Sequence, residues 1–146
     1  MATLLETSIR ISAPASVVWA ELTRFDSYAD WNPFIQSLEG TVAKGNRIKV
    51  QLTPPGQKGM TFKPVITRLT QNQELEWLGN LIIPGLFDGR HRFELQSNPD
   101  GSTTLIQSER FTGILVPFLK KMIQGATRDG FIAMNEALKK RIGEVG

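Results

Sequence analysis

Hydrophobic and polar residues alternate along most of the chain, which is the period-two pattern of a β-strand with one buried face. The first such segment, LLETSIRIS, carries Leu5, Ile9 and Ile11 on one side and stops at Ala13-Pro14. Six further strand-like segments follow, separated by short turns, at residues 34–40, 46–53, 60–70, 73–81, 85–96 and 102–113. The pattern therefore predicts seven antiparallel strands.

Two parts of the chain have helical spacing instead. Residues 15–31, directly after the first strand, are predicted to form two short helices, with Pro14 suited to a first helical turn and Ser12 to its cap. From about Val116 to Ile142, an apolar stripe lies opposite a polar face, which predicts one long C-terminal helix. The stripe consists of Leu119, Ile123, Ala126, Gly130, Ala133 and Ala137.

This order of elements is typical of an α+β fold in which one sheet packs on one helix. A seven-stranded sheet has a face to bury, and a single helix covers only part of it, so we expect the sheet to curve around the helix. Small residues such as Gly125, Gly130 and Ala133 on that helix leave two possibilities open, close packing or a cavity. The many aromatic residues that face the same side favour a cavity.

Composition narrows the class of protein. With 146 residues, of which 40% are hydrophobic, the chain is expected to form a single domain over residues 1–146. The 17 basic and 14 acidic side chains are scattered and give a net charge of only +3, so nucleic acid is not an expected partner. Without cysteine and with one histidine, neither a disulfide nor a metal site of the usual ligand count is expected, and no cofactor is predicted.

Targeting signals are not evident in the sequence. The segment MATLLETSIRI lacks the basic and then apolar order of a signal peptide, and the longest apolar run, NLIIPGLF, is too short to span a bilayer. We therefore expect a cytoplasmic protein with no transmembrane segment. The expected assembly is a monomer or a homodimer.

The single histidine, His91, lies in the strand-like segment GLFDGRHRFELQ. The turn NPDG at residues 98–101 has the composition of a three-residue hairpin loop with glycine at a position of positive φ, and this sets the register of the two flanking strands. The predicted inward pairs are Leu95–Leu105, Phe93–Gln107, His91–Glu109 and Gly89–Phe111. On the same count, Arg90 and Arg92 point outward.

Several segments together resemble a known family. IRISAPASVVWAELTRFDSYADWNPF, GLFDGRHRFEL, TTLIQSERFTGIL and the long helix after them are similar to the polyketide cyclase/dehydrase branch of the START-like (SRPBCC, Bet v 1-like) superfamily. The resemblance covers nearly the whole chain. It implies a helix-grip fold, in which the sheet wraps the C-terminal helix and encloses a cavity for lipophilic small molecules. Since the superfamily includes carriers, receptors, cyclases and co-chaperones, function has to be argued from the site.

The candidate site residues are those predicted to face this cavity. His91 and Glu109 are the candidate acid and base. Such a pair also occurs with a purely structural role, in which the two buried side chains only hydrogen-bond each other. Aromatic and small side chains form the predicted walls, with Trp31 expected at the mouth. The predicted ligand-binding residues are Trp31, Phe62, Trp77, Phe87, His91, Phe93, Glu109, Phe111, Met122, Ala126, Gly130 and Met134.

Three functions are consistent with these residues. The favoured one is a binding or carrier protein for an apolar, ring-containing molecule, with His91 and Glu109 as its polar contacts. The second is a cyclase or dehydratase that uses the same pair as acid and base. The third is a protein-interaction or co-chaperone-like module whose cavity is vestigial. The sequence leaves the first two open, because a polar pair in a pocket can orient a ligand or catalyse a reaction.

Overall fold

The computed structural model describes residues 2–145 and shows an α+β helix-grip fold. Strand β1 (Ala2–Ile11) is followed by α1 (Ala15–Leu22), a 3-10 turn (Phe25–Ser27) and α2 (Tyr28–Trp31). The remaining strands are β2 (Ile35–Glu39), β3 (Lys49–Leu52), β4 (Met60–Phe62), β5 (Val65–Thr70), β6 (Glu74–Asn80), β7 (Asp88–Ser97) and β8 (Thr103–Thr112). A long C-terminal helix consists of α3 (Val116–Met122), a π-helical turn (Ile123–Thr127) and α4 (Arg128–Val145).

The strands form two antiparallel sheets. The larger sheet has the order β1-β8-β7-β6-β5, and the smaller one has the order β2-β3-β4. Helix α4 packs on β1 and β8, and α1 packs on α4. The long helix therefore lies against the larger sheet, as the helix-grip expectation requires.

The expected single sheet of seven strands is wrong in one respect, because the described residues contain eight strands in two sheets. The segment 60–70 was expected to be one strand, but it divides into β4 and β5 at Lys63-Pro64. Proline has no N–H to donate to a ladder. The Pro64 carbonyl instead accepts a hydrogen bond from Ile48 N–H at 2.9 Å, and Ile66 N–H donates to Asn46 O at 2.9 Å. The chain thus leaves one sheet and enters the other at the proline.

The predicted hairpin register is confirmed. Asn98 N–H donates to Ser102 O at 2.9 Å, and Gly101 has φ +87°, the conformation for which the turn needs glycine. The ladder pairs the inward residues as predicted: Leu95–Leu105, Phe93–Gln107, His91–Glu109 and Gly89–Phe111. A local turn signal therefore fixes which side chains of β7 and β8 face the helix.

The C-terminal helix begins at Val116 and runs past Leu138, as expected, but its buried face differs from the predicted stripe. Ala126, Ala133 and Ala137 are only half-buried. The buried apolar and hydroxyl residues of this helix are Val116, Ile123, Thr127, Phe131, Met134, Leu138 and Ile142. After Ile123 the buried positions are displaced by one residue, because a π turn holds an extra residue relative to an α turn.

Candidate functional site

An apolar cavity lies between the two sheets and the first half of the C-terminal helix. About 70 Å³ of it is open to the centre of a water-sized molecule. Its walls are mostly aromatic and aliphatic, and its polar groups are few. The lining residues are Phe34, Ile35, Val50, Leu52, Pro54, Met60, Phe62, Pro64, Trp77, Gly79, Phe87, Gly89, His91, Glu109, Phe111, Met122 and Thr127. Among these, only His91 and Glu109 are ionisable.

Trp77, His91 and Glu109 lie side by side across β6, β7 and β8. Trp77 is the register partner of His91 on one side, and Glu109 is its partner on the other. The indole ring stacks on the imidazole with their centroids 5.1 Å apart and their planes 28° apart. His91 Nδ1 is 3.1 Å from Glu109 Oε1. The sheet register therefore places one polar pair against an aromatic wall of the cavity.

The imidazole of His91 is almost completely enclosed, with 3% of the residue exposed. The rings of Phe93 and Phe131 lie 4.8 and 4.9 Å from it, measured between centroids. Its Nε2 is 2.9 Å from Gln107 Oε1, while Nδ1 faces Glu109. Both ring nitrogens therefore have protein partners, and the geometry leaves neither free for a ligand.

Glu109 is the ionisable residue that a molecule in the cavity could contact. Its side chain is 17% exposed, and Oε1 is held by His91. Gly89, its diagonal neighbour on β7, has no side chain there, and a Cβ on Gly89 would overlap Glu109 Oε2. No hydrogen bond to Oε2 occurs within residues 2–145. The glycine therefore lets the carboxylate lie across the strand with one oxygen unpaired.

Three further buried polar residues, Thr7, Gln107 and Asn135, extend the hydrogen bonding behind His91, and none of them was among the predicted site residues. Gln107 Nε2 donates to Asn135 Oδ1 at 2.7 Å, and Asn135 Nδ2 donates to Thr7 Oγ1 at 2.9 Å. Thr7 Oγ1 in turn donates to the Gln107 carbonyl at 3.1 Å. Thr7 and Gln107 could have been identified because each is a polar residue at an inward position of an alternating strand.

The arginines next to His91 point away from the cavity, as expected. Arg90 Nη1 is 3.1 Å from Glu76 Oε1, and Arg92 Nη2 is 2.7 Å from Glu74 Oε2 on the outer face of the sheet. The hydrogen bond to Glu74 is the main cause that raises the pKa of Arg92. Both guanidinium groups are therefore engaged outside the cavity.

Seven of the twelve predicted ligand-binding residues line the cavity, and five do not. The lining ones are Phe62, Trp77, Phe87, His91, Glu109, Phe111 and Met122. Phe93 and Met134 are fully buried in the core instead. Trp31 and Ala126 are half-buried outside the lining, and Gly130 lies in close packing.

Gly130 differs most from its expected role. A Cβ at this position would lie 2.6 Å from Phe34 Cε1 and closer still to Cδ1. Phe34 is 1% exposed, and its ring packs on that of Phe131 with centroids 5.6 Å apart. Glycine is therefore needed at this position for close packing, which is the other possibility that the sequence left open. The Phe34 ring fills the space beside Gly130, so no ligand fits there.

Exposed apolar side chains occur on two segments that lead into the cavity wall. Ile82, Ile83, Ile114 and Phe118 are each more than half exposed, and we refer to them as the apolar rim. Their segments are joined by hydrogen bonds from Ile114 N–H to Gly85 O and from Leu115 N–H to Leu86 O. The wall residues Phe87 and Met122 follow these segments in sequence.

Within residues 2–145, no three His, Cys, Asp or Glu side chains lie close enough together to hold a metal ion. None of the helices in that range combines the length and the apolar character that a membrane crossing requires.

Comparison with solved structures shows the same fold in other proteins. The Zhui aromatase/cyclase from Streptomyces sp. R1128 superposes with a TM-score of 0.80 at 15% identity, covering 99% of this chain and 95% of that one. A START superfamily protein from Mycobacterium smegmatis gives a TM-score of 0.75 at 18% identity, covering 98% and 99%. A point mutant of norcoclaurine synthase from Thalictrum flavum gives 0.76 at 14% identity, covering 99% and 96%. Identities this low establish a shared fold and no shared activity.

The family is established by sequence. No curated protein matches the chain. Residues 2–143, however, match the family described as polyketide cyclase/dehydrase and lipid transport, which confirms the resemblance inferred from the sequence motifs. The chain therefore belongs to the polyketide cyclase/dehydrase and lipid transport family.

Proposed function

We propose that the protein binds an apolar small molecule in the cavity between its two sheets and the C-terminal helix, with Glu109 as its polar contact. The observation that carries the proposal is the lining itself, which is apolar apart from Thr127 and the His91–Glu109 pair. Ligand sites of this kind are mostly apolar, with a few polar groups that fix orientation. The family description, which includes lipid transport, supports the same function.

The size of the cavity limits the guest. A cavity holds one water molecule when roughly 10–15 Å³ is open to the centre of that molecule. The 70 Å³ open here therefore corresponds to several waters. A two-ring guest requires the walls to move. Met60 and Met122 are the wall residues suited to this, since methionine has three rotatable bonds and repacks easily.

Filling the cavity tests the proposal. Gly79 lies on its wall, and a Cβ there would have Pro64 Cβ at 3.6 Å as its nearest contact, which is an ordinary distance. In Gly79→Val, the valine side chain should therefore occupy part of the cavity without overlap at Cβ. Its binding of N-phenyl-1-naphthylamine, a neutral apolar fluorescent probe, should be weaker than that of the wild type by about tenfold or more.

The matched control places the same side chain on the other face of the sheet. Ser108 pairs with the outward Arg92, so Ser108→Val adds a valine to the same sheet away from the cavity. This variant should bind the probe as the wild type does. Equal binding by wild type, Gly79→Val and Ser108→Val, with all three folded by circular dichroism, would refute binding in this cavity.

A second candidate function, proton transfer to or from a bound molecule, is favoured by the unpaired Oε2 of Glu109. In this case Glu109 is the catalytic base, and His91, whose nitrogens are both engaged, is a positioning residue. 2-Tetralone, an apolar ketone with exchangeable protons next to its carbonyl, is a suitable probe. The wild type should accelerate deuterium exchange at that carbon. In Glu109→Gln the rate of this catalysed exchange should fall by about two to four orders of magnitude. Identical exchange with both proteins excludes this function.

A further inference from the structure

The buried side chains behind His91 form a chain of hydrogen bonds whose direction is set by two backbone carbonyls. The Gln107 carbonyl lies 3.1 Å from Thr7 Oγ1, and the Phe131 carbonyl lies 3.4 Å from Gln107 Nε2. A carbonyl oxygen can only accept. The Thr7 hydroxyl hydrogen is therefore directed at one carbonyl, and the amide NH₂ of Gln107 faces the other.

The rest of the chain follows from these two ends. Thr7 Oγ1, having donated its hydrogen, accepts from Asn135 Nδ2 at 2.9 Å. Asn135 Oδ1 then accepts from Gln107 Nε2 at 2.7 Å, so the atom that Gln107 turns toward His91 is Oε1. Reversing the amides would place Gln107 Oε1 against the Phe131 carbonyl and leave two acceptors facing each other. His91 Nε2 must accordingly carry a hydrogen.

This assignment leaves only one way to make the contact between His91 and Glu109. Nδ1 and Oε1 are 3.1 Å apart, and without a hydrogen between them both atoms would be acceptors. We infer that the Thr7–Asn135–Gln107 chain holds His91 as the Nε2–H form, so that the His91–Glu109 contact contains a proton of its own and the pair has no net charge. In the reversed chain, the pair would be a neutral imidazole beside a carboxylate, with a net charge of −1.

The charge of the His91–Glu109 pair selects a class of ligand, a step that rests on the proposed function. Whether the proton lies on Nδ1 or on Oε1, Glu109 Oε2 is an acceptor. The two arginines that flank His91 on β7, Arg90 and Arg92, are paired with Glu76 and Glu74 on the outer face of the sheet and add no charge next to the pair. A neutral pair with a free acceptor suits a neutral apolar molecule that bears a hydroxyl group, whereas a pair charged −1 would suit an ammonium cation.

The proton assignment can be tested on the protein without any ligand. His91 is the only histidine, so the side-chain nitrogen-15 spectrum at pH 7 contains one imidazole. We expect Nε2 to resonate as a protonated nitrogen. Gln107→Glu keeps an acceptor at Nε2 and should preserve that signal, whereas Gln107→Met, of similar length, removes the acceptor and should leave Nε2 without a hydrogen and Nδ1 with one. A wild-type spectrum with a bare Nε2 and a protonated Nδ1 overturns the inference.

The ligand class is tested with four molecules that share one ring system. 2-Naphthol should bind the wild type about tenfold more tightly than 2-methoxynaphthalene, which has no donor, and also more tightly than 2-naphthoate or 2-naphthylmethylammonium. In Gln107→Met, the preference for 2-naphthol over the ammonium compound should fall by about tenfold. Tighter binding of the ammonium compound by the wild type contradicts the inference. Binding of none of the four contradicts the proposed function instead, while the nitrogen-15 spectrum still decides the proton.

Discussion

Two glycines that face the interior, Gly130 on α4 and Gly89 on β7, differ in what occupies the space of their missing side chain. The ring of Phe34, fully buried against Phe131, fills the space at Gly130. At Gly89 the occupant is the carboxylate end of Glu109, a flexible side chain at the cavity wall. A small residue by itself therefore does not indicate a cavity. The neighbour that fills its space, a buried ring or the end of a flexible side chain, decides how a larger residue is tolerated.

Gly130→Leu should have the largest effect, because the added side chain overlaps the ring of Phe34, which is buried against Phe131. Overpacking of this kind costs about 1 to 3 kcal/mol of unfolding free energy, and sometimes more, which corresponds to a fall in melting temperature of about 3 to 10 °C for a domain of this size. Differential scanning calorimetry measures the change.

Gly125→Leu is the matched control, since a Cβ at Gly125 has no neighbour within 4 Å. It should melt close to the wild type. Equal destabilisation by the two substitutions would show that leucine in this helix, rather than contact with Phe34, is responsible.

Gly89→Ala should change binding more than stability. The new Cβ overlaps Glu109 Oε2 and displaces the carboxylate, which can move because it is the end of a flexible side chain. We expect the affinity for 2-naphthol to fall about tenfold, or about 1.4 kcal/mol, as measured by isothermal titration calorimetry. The register partner Gly79 provides the control, because Gly79→Ala adds the same methyl group at an ordinary distance from Pro64. If Gly79→Ala weakens binding equally, lost space rather than the position of Glu109 is the cause.

The smallest expected effect concerns the turn that sets the register of His91 and Glu109. The Ser102 hydroxyl, 2.6 Å from Asp100 Oδ1, is the main cause that lowers the pKa of Asp100 from 3.8 to about 2, with further contributions from Ser102 N–H and Arg10. Because the pKa of Asp100 is lower in the folded protein than its ordinary value, the ionised carboxylate stabilises the fold above pH 3.8. This contribution is lost as the pH falls to about 2.

Thermal melts at several pH values between about 5 and 2 measure this contribution. Asp100→Asn should lower the melting temperature at the upper end of the range, and its difference from the wild type should shrink toward the lower end. Ser102→Ala, which removes the main hydrogen bond, should reduce the same pH dependence. A difference that stays constant across the range would show that the Asp100 carboxylate does not contribute through its ionisation.

The parts of the fold that depend on local signals could be predicted from the sequence. The NPDG turn determines the pairing of β7 with β8, and the position of His91 opposite Glu109 follows from counting outward from it. Strand alternation likewise placed Trp77, Phe87 and Phe111 on the cavity side. These predictions needed only neighbouring residues and one turn.

The parts that could not be predicted depend on contacts between distant segments. The π turn after Met122 displaces the buried helix face by one residue, and periodicity assumes a uniform α-helix. The role of Gly130 depends on Phe34, nearly a hundred positions away. Asn135 bonds Gln107 and Thr7 only once the helix lies on the sheet, and its helix position gave no sign of this.

The most direct test of ligand binding in the cavity is a crystal structure of the protein with 2-naphthol. We expect the rings to lie among Trp77, Phe87 and Phe111, with the hydroxyl oxygen within hydrogen-bond distance of Glu109 Oε2. Bound 2-naphthol on the apolar rim of Ile82, Ile83, Ile114 and Phe118, or a crystal with the cavity unchanged and no bound ring, would contradict it.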